Sequence, residues 1–156
     1  MHKMGRKAWV FIFLLILLAL AFLILNKLWI ISISSNEITI SIPSLSNTFS
    51  IIFVHSSEKQ PWENIFEVKR DKLVLKTMKV ASIGPGVPSS IEDGWKVEIK
   101  DGFIVYDRVD KEFGFLDIKL SKISPHYLKI GNKKINLVNF FGDNAIIRIR
   151  AGKLLN

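Results

Sequence analysis

The sequence contains no cysteine among its 156 residues. Disulfides, thiolate zinc sites, iron–sulfur clusters and thiol nucleophiles are therefore excluded, and the redox compartment is left open because an exported protein need not use disulfides. Glycine and proline are sparse, at nine and five. No low-complexity stretch, internal repeat or long linker is present. No run of basic residues with interleaved aromatics and no recognition-helix motif accompanies the net charge of +8, so nucleic-acid binding is not expected. Lys3, Arg6, Lys7 and Lys27 flank one apolar segment, and the remaining basic residues share the rest of the chain with all 14 acidic ones. That distribution is an ordinary mixed, solvated surface.

What is present first is one long hydrophobic run. Every residue from Ala8 to Leu25 is apolar, which meets the length of about 17–25 residues that a membrane-spanning helix needs. Lipid offers no partner to a backbone amide, so an isolated spanning segment must be helical. Trp9 and Trp29 bracket the run at interface depth. Lys3, Arg6 and Lys7 precede it and only Lys27 closely follows it, which predicts an N-terminus inside and the remainder exported. A cleaved signal would end in a small-x-small site close behind a shorter apolar region. Ser32-Ile33-Ser34 lies too far beyond the run, so an uncleaved anchor is expected. The chain divides into a cytoplasmic basic N-terminus (1–7), a transmembrane anchor (8–25), a short tether (26–35) and an extracytoplasmic domain (36–156). That leaves about 120 residues for one domain with its own core.

Beyond the anchor, helical periodicity gives way to period-two alternation punctuated by turn residues. Ile38, Ile40 and Ile42 alternate up to Pro43, which is expected to end that strand. Phe49, Ile51 and Phe53 share a face of the next. Lys69-Arg70-Asp71 turns a hairpin, Asp101-Gly102 turns the clearest one, and Gly131-Asn132 another. Ala145 to Arg150 supplies a last strand. Eight or nine short strands predict an all-β fold, a small antiparallel sandwich or partly open barrel.

Two loops concentrate polar, glycine and proline residues beyond what a turn needs: His55-Ser56-Ser57-Glu58-Lys59-Gln60-Pro61-Trp62-Glu63, and Ser82 to Ser89 with Asp93-Gly94-Trp95 behind it. The motif His-Ser-x-Glu-Lys-x-Pro-Trp-Glu, with Phe66, Val68, Leu73-x-Leu75-x-Thr77, Lys79 and Gly84-x-Gly86-Val87-Pro88-Ser89, resembles the bacterial and archaeal family catalogued as domain of unknown function 1850. Members usually carry Gly-Ala-Gly where this chain has Gly84-Pro85-Gly86. The resemblance implies a small exported protein encoded beside membrane components of tripartite transporters of the TAXI type. A transporter permease or its solute-binding protein is then the expected partner, alongside the bilayer held by residues 8–25.

Read as residues alone, the loops admit several chemistries. His55 at a strand end is placed to hydrogen-bond Glu58 or Glu63 and orient its loop. His55, Glu58, Glu63 and Asp93 are oxygen and nitrogen donors for a cation, but no pair has a diagnostic ligand spacing, so no metal or cofactor is expected. Ser56 and Lys59 form a nucleophile–base pair only if the lysine is buried, and Glu58 with Glu63 as paired carboxylates lacks any fixed separation. Gly84 and Gly86 serve positive φ or close backbone approach, since no helix start follows to bind phosphate. Trp62, Trp95 and Phe66 read as core or rim aromatics. The expected binding surface is His55, Ser56, Glu58, Lys59, Pro61, Trp62 and Glu63 together with Gly84, Gly86, Pro88, Ser89 and Asp93. The expectation is an anchored accessory protein with no catalytic residues. A small-molecule or ion binding domain is the alternative, and an exported hydrolase the second alternative.

Overall fold

A computed structural model describes residues 5–56 and 59–155. Helix α1 (Arg6–Lys27) is followed after one residue by strand β1 (Trp29–Ser34) and its hairpin partner β2 (Thr39–Ser44). Then come β3 (Thr48–Val54), β4 (Pro61–Lys69), β5 (Lys72–Val80), β6 (Lys96–Lys100), β7 (Phe103–Phe113), β8 (Leu116–Lys119), β9 (His126–Ile130) and β10 (Lys133–Asn136). A single helical turn, α2 (Val138–Phe141), precedes β11 (Ile146–Lys153). Two antiparallel sheets form, ordered β2-β1-β11-β8 and β10-β9-β3-β4-β5-β7-β6. The fold is a β-sandwich behind an N-terminal helix, which decides between the two architectures the strand pattern allows.

The core lies between the sheets. Ile31 and Ile33 of β1 and Ile147 and Ile149 of β11 face Val68, Leu73, Val80 and Leu128 of the large sheet, all fully buried. Alternation puts these side chains on one face and leaves the residues between them to solvent or neighbouring strands. In contrast, none of Trp9–Lys27 is buried, and the segment is long and apolar enough to cross a membrane.

Several sequence expectations change. The stretch 26–35, read as a tether, is mostly strand β1, held between β2 and β11, so the domain begins at Trp29. Pro43 does not end its strand: it pairs with Ile30 inside β2. That strand is an edge, where a missing N–H costs no ladder bond. β8 had no counterpart in the strand reading, because four residues are too short for alternation to stand out. The Asp101-Gly102 hairpin forms as read, both residues at positive φ (51° and 78°). β7 then runs well past Tyr106. Its pairing with β5 shifts between Leu75 and Thr77, opposite Arg108 and Asp110, which are also at positive φ. That irregularity is a β-bulge, and it absorbs extra residues without flipping the buried face. Lys3 lies outside the described residues.

Candidate functional site at the far end of the sandwich

The register gives the sandwich two unlike ends. β1 starts at the helix, where Trp29 is flanked by Ser44 and Lys153. Gly152 lies against the main-chain carbonyl of Arg70, within 3.7 Å of where a Cβ would stand. The β4–β5 turn is therefore at the helix end too. β4 begins, and β3 and β5 finish, at the opposite end, and the two motif loops are the connections there. The loop after β3 is closed by the Lys59 N–H donating to His55 O (2.9 Å) and the His55 N–H donating to Gln60 O (2.8 Å). Glu58 lies outside the described residues.

Four rings stack across this end in the order His126, Phe53, Trp62, His55. Centroid separations are 5.2, 5.5 and 5.7 Å and interplanar angles 17–22°. The ladder follows from register, since Phe53 pairs with His126 on one side and Trp62 on the other. Trp62 is buried, and its indole N–H donates to Asn64 Oδ1 at 2.8 Å. The second loop covers the stack. Gly86, at φ +84°, lies over the stack: a Cβ there would stand 3.6 Å from the Trp62 ring and 4.0 Å from His55 Nε2. A glycine is needed there for the left-handed backbone. The room left between the loops is about 10 Å³, bounded by His55, Pro61, Trp62 and Gly84. They are packed together and leave no ligand cavity between them.

Open space lies on the other side of His55. A shallow cleft of about 490 Å³ runs between the sheet ends, lined by His55, Ser56, Lys119, Ser121, Ser124 and His126 among others. The Ser124 hydroxyl donates to the Val54 carbonyl, fastening segment 121–125 to the end of β3. Burial lowers the His126 pKa below its ordinary value of 6.5, only partly countered by the Ser124 main chain nearby. Its Nδ1 is buried without a hydrogen bond of good geometry. The cleft thus offers two imidazoles, one of them disfavoured by burial as an imidazolium, with hydroxyls and one ammonium.

The sequence-selected residues divide. His55 and Ser56 line the cleft. Pro61, Trp62, Gly84 and Gly86 belong to the packed loop pair. Lys59, Ser89 and Asp93 are exposed and Pro88 half-buried. Glu63 is not with His55: one residue after Trp62 it points to the outer face of the large sheet, between Lys79 (3.5 Å) and Lys129 (3.7 Å). The expected His55–Glu63 contact, and a cation site sharing both, are overturned by that alternation. Glu63 instead lines an outer groove of about 460 Å³ with Lys79, Thr77 and Asp107, the last two hydrogen-bonded at 2.6 Å. Trp95 stands apart, edge-on to Tyr106. Among the described residues no group of three His, Asp or Glu side chains is placed to hold a metal ion. The sequence reading missed Lys119, Ser121 and His126. The run Ser121-Lys122-Ile123-Ser124-Pro125-His126 did carry a loop signature ending on a histidine.

Fold and loops together define a class: a small antiparallel sandwich, borne on an apolar helix, with its distinctive loops at the end away from that helix. The family described as domain of unknown function (DUF1850) matches residues 49–137, more than half of the chain, and the protein belongs to it. No curated protein and no solved structure matches it.

Proposed function

We propose that this is a membrane-anchored accessory protein of a tripartite, TAXI-type solute transporter. Its sandwich is held outside the cytoplasm and binds a transporter component through its far end. One observation carries the reading: the motif loops sit at the end remote from α1, with His55 exposed to a cleft, so they face away from the bilayer. That placement favours the soluble solute-binding protein over the permease. Support for the orientation comes from the basic residues ahead of the apolar run, Lys3, Arg6 and Lys7, and the positive-inside rule. Support for the transporter comes from the family resemblance.

The test is to solubilise the native membrane gently, retrieve the protein by a C-terminal tag, and identify partners by mass spectrometry, wild type beside His55→Ala. Recovery of a solute-binding protein or permease by wild type, reduced in a still-folded His55→Ala, is expected. A protein recovered alone in both cases ends this reading in favour of a second, which the cleft supports. At about 490 Å³ it falls within the range of small-molecule sites, about 300–1,000 Å³. The Lys119 ammonium and the serine hydroxyls suit a small anionic ligand.

A further inference from the structure

We infer that the helix end of the sandwich rests on the bilayer leaflet from which α1 emerges, contacting anionic lipid headgroups. The inference depends on α1 crossing the membrane, and nothing in it depends on the transporter.

Spacing is the first argument. α1 ends at Lys27 and β1 begins at Trp29, leaving Leu28 as the whole connection. The Leu154 N–H donates to Leu28 O at 2.9 Å, which ties the end of β11 to the same junction. Trp29 is four residues beyond Leu25, where the apolar run ends. Asn26 and Lys27 are helical and rise only about 3 Å, two extended residues add at most about 7 Å, and headgroups occupy about 5–8 Å on each side of the hydrocarbon. The end of the sandwich is thus held against the outer headgroup surface and has no linker with which to swing away.

The second argument is what the sequence places there. Leu45 (71% exposed), Leu154 (43%) and Leu155 (39%) project from the ends of β2 and β11. Around them stand Lys27, Arg70 and Lys153, with the Lys153 ammonium 5.7 Å over the Trp29 ring. Two further lysines are already neutralised, Lys69 by Glu67 and Lys72 by Glu112. Asp71 shares the β4–β5 turn with Arg70 and acts on Lys72, and no described carboxylate forms an ion pair with Lys27, Arg70 or Lys153. Exposed leucines beside an aromatic and unpaired cations match a headgroup–acyl boundary. Exposed isoleucines also stand at the far end, Ile83, Ile123 and Ile146 among them, but only the leucines at the near end are tied to the helix exit.

The absence of cysteine makes the test direct. Single cysteines at Leu45, Leu155, Ser89 and Ala19 carry a nitroxide in the full chain. The labelled protein is reconstituted in nanodiscs of phosphatidylcholine, with or without phosphatidylglycerol. Accessibility to oxygen and to a water-soluble nickel chelate gives label depth. With anionic lipid, the Leu45 and Leu155 labels should be shielded from the chelate while Ser89 stays in water. Each headgroup-facing cation favours apposition about fivefold. Arg70→Asn with Lys153→Gln should therefore shift the docked-to-free ratio about twentyfold toward free. Leu45 and Leu155 labels as chelate-accessible as Ser89 in anionic discs would overturn the inference. A chelate-accessible Ala19 label would instead show that α1 does not span, and the anchor reading fails with it.

Discussion

Truncating Trp62 to alanine tests whether the ring stack holds the far end together. The side chain is buried on β4 between Phe53 and His55, under Gly86, with its N–H given to Asn64. Replacing a buried Trp or Phe by alanine costs about 3–5 kcal/mol, because surrounding atoms relax only partly into the cavity. Leaving the half-buried Asn64 oxygen without its donor adds up to about 1 kcal/mol. A loss of about 4 kcal/mol is a large share of the 5–15 kcal/mol roughly expected for a domain. Trp62→Phe keeps a stacked ring and loses mainly the hydrogen bond and some area, so about 1–2 kcal/mol is expected. Urea unfolding of the full chain in micelles, followed by strand circular dichroism, measures both. With a slope of about 1–3 kcal/mol per molar urea, the alanine midpoint should fall by more than 1 M and the phenylalanine midpoint by less. An alanine loss below about 1 kcal/mol, or equal losses for the two variants, would refute the stack as the organising contact.

His126 predicts a pH dependence. Its folded pKa lies below 6.5 because burial disfavours the imidazolium. As pH falls below about 6.5 the unfolded chain binds a proton that the folded chain does not, so stability declines until the folded value is passed and then levels. His126→Phe should flatten that decline in unfolding midpoints taken between pH 7.5 and 5. Gly86→Ala meets Trp62 at an ordinary 3.6 Å, so the cost comes from φ +84°. About 1 kcal/mol of backbone strain, less a small unfolded-state gain, should lower the melting temperature by a few degrees. Glu63→Ala strips the partner from Lys79 and Lys129 on the outer face. It should lower stability in low salt more than in high salt and leave partner recovery intact, whereas His55→Ala should reduce partner recovery.

Where the sequence was legible, local chemistry had one physical solution. The apolar run had to be helix. Asp101-Gly102 tolerates the left-handed turn, and Phe49, Ile51 and Phe53 alternate with Ser50 and Ile52 because they share one face of their strand. Other features depend on which strands become neighbours. Phe53, Trp62 and His126 stack only because β9, β3 and β4 lie side by side, and no spacing along the chain encodes that. Glu63 was grouped with His55 because the two are close in sequence, yet period two turns it to the opposite face from Trp62. β1 was hidden for another reason. Its alternating Trp29-Ile30-Ile31-Ser32-Ile33-Ser34 follows so soon after the apolar helix that its apolar positions look like spill-over from that helix.

The misread boundary gives a decisive truncation experiment. A fragment beginning at residue 36 matches the tether reading, and it also leaves the family-matched span 49–137 untouched. It removes β1, the strand between β2 and β11 in the small sheet. Ile31 and Ile33, each 1% exposed, would be lost, at about 1.5–3 kcal/mol of burial apiece. The matching faces of Ile147 and Ile149 would open to water, and β2 would have no strand to pair with. Together these losses approach the whole expected stability of about 5–15 kcal/mol. A fragment beginning at Leu28 keeps every one of those contacts and omits only the helix. The longer fragment should be soluble and unfold cooperatively, while the shorter one should bind a hydrophobic dye and melt without a transition. Equal melting temperatures for the two would mean that β1 is dispensable and that the small sheet is a cover laid on an independently stable seven-stranded sheet. A folded long fragment beside an unfolded short one would show instead that the strand directly behind the apolar helix is part of the core.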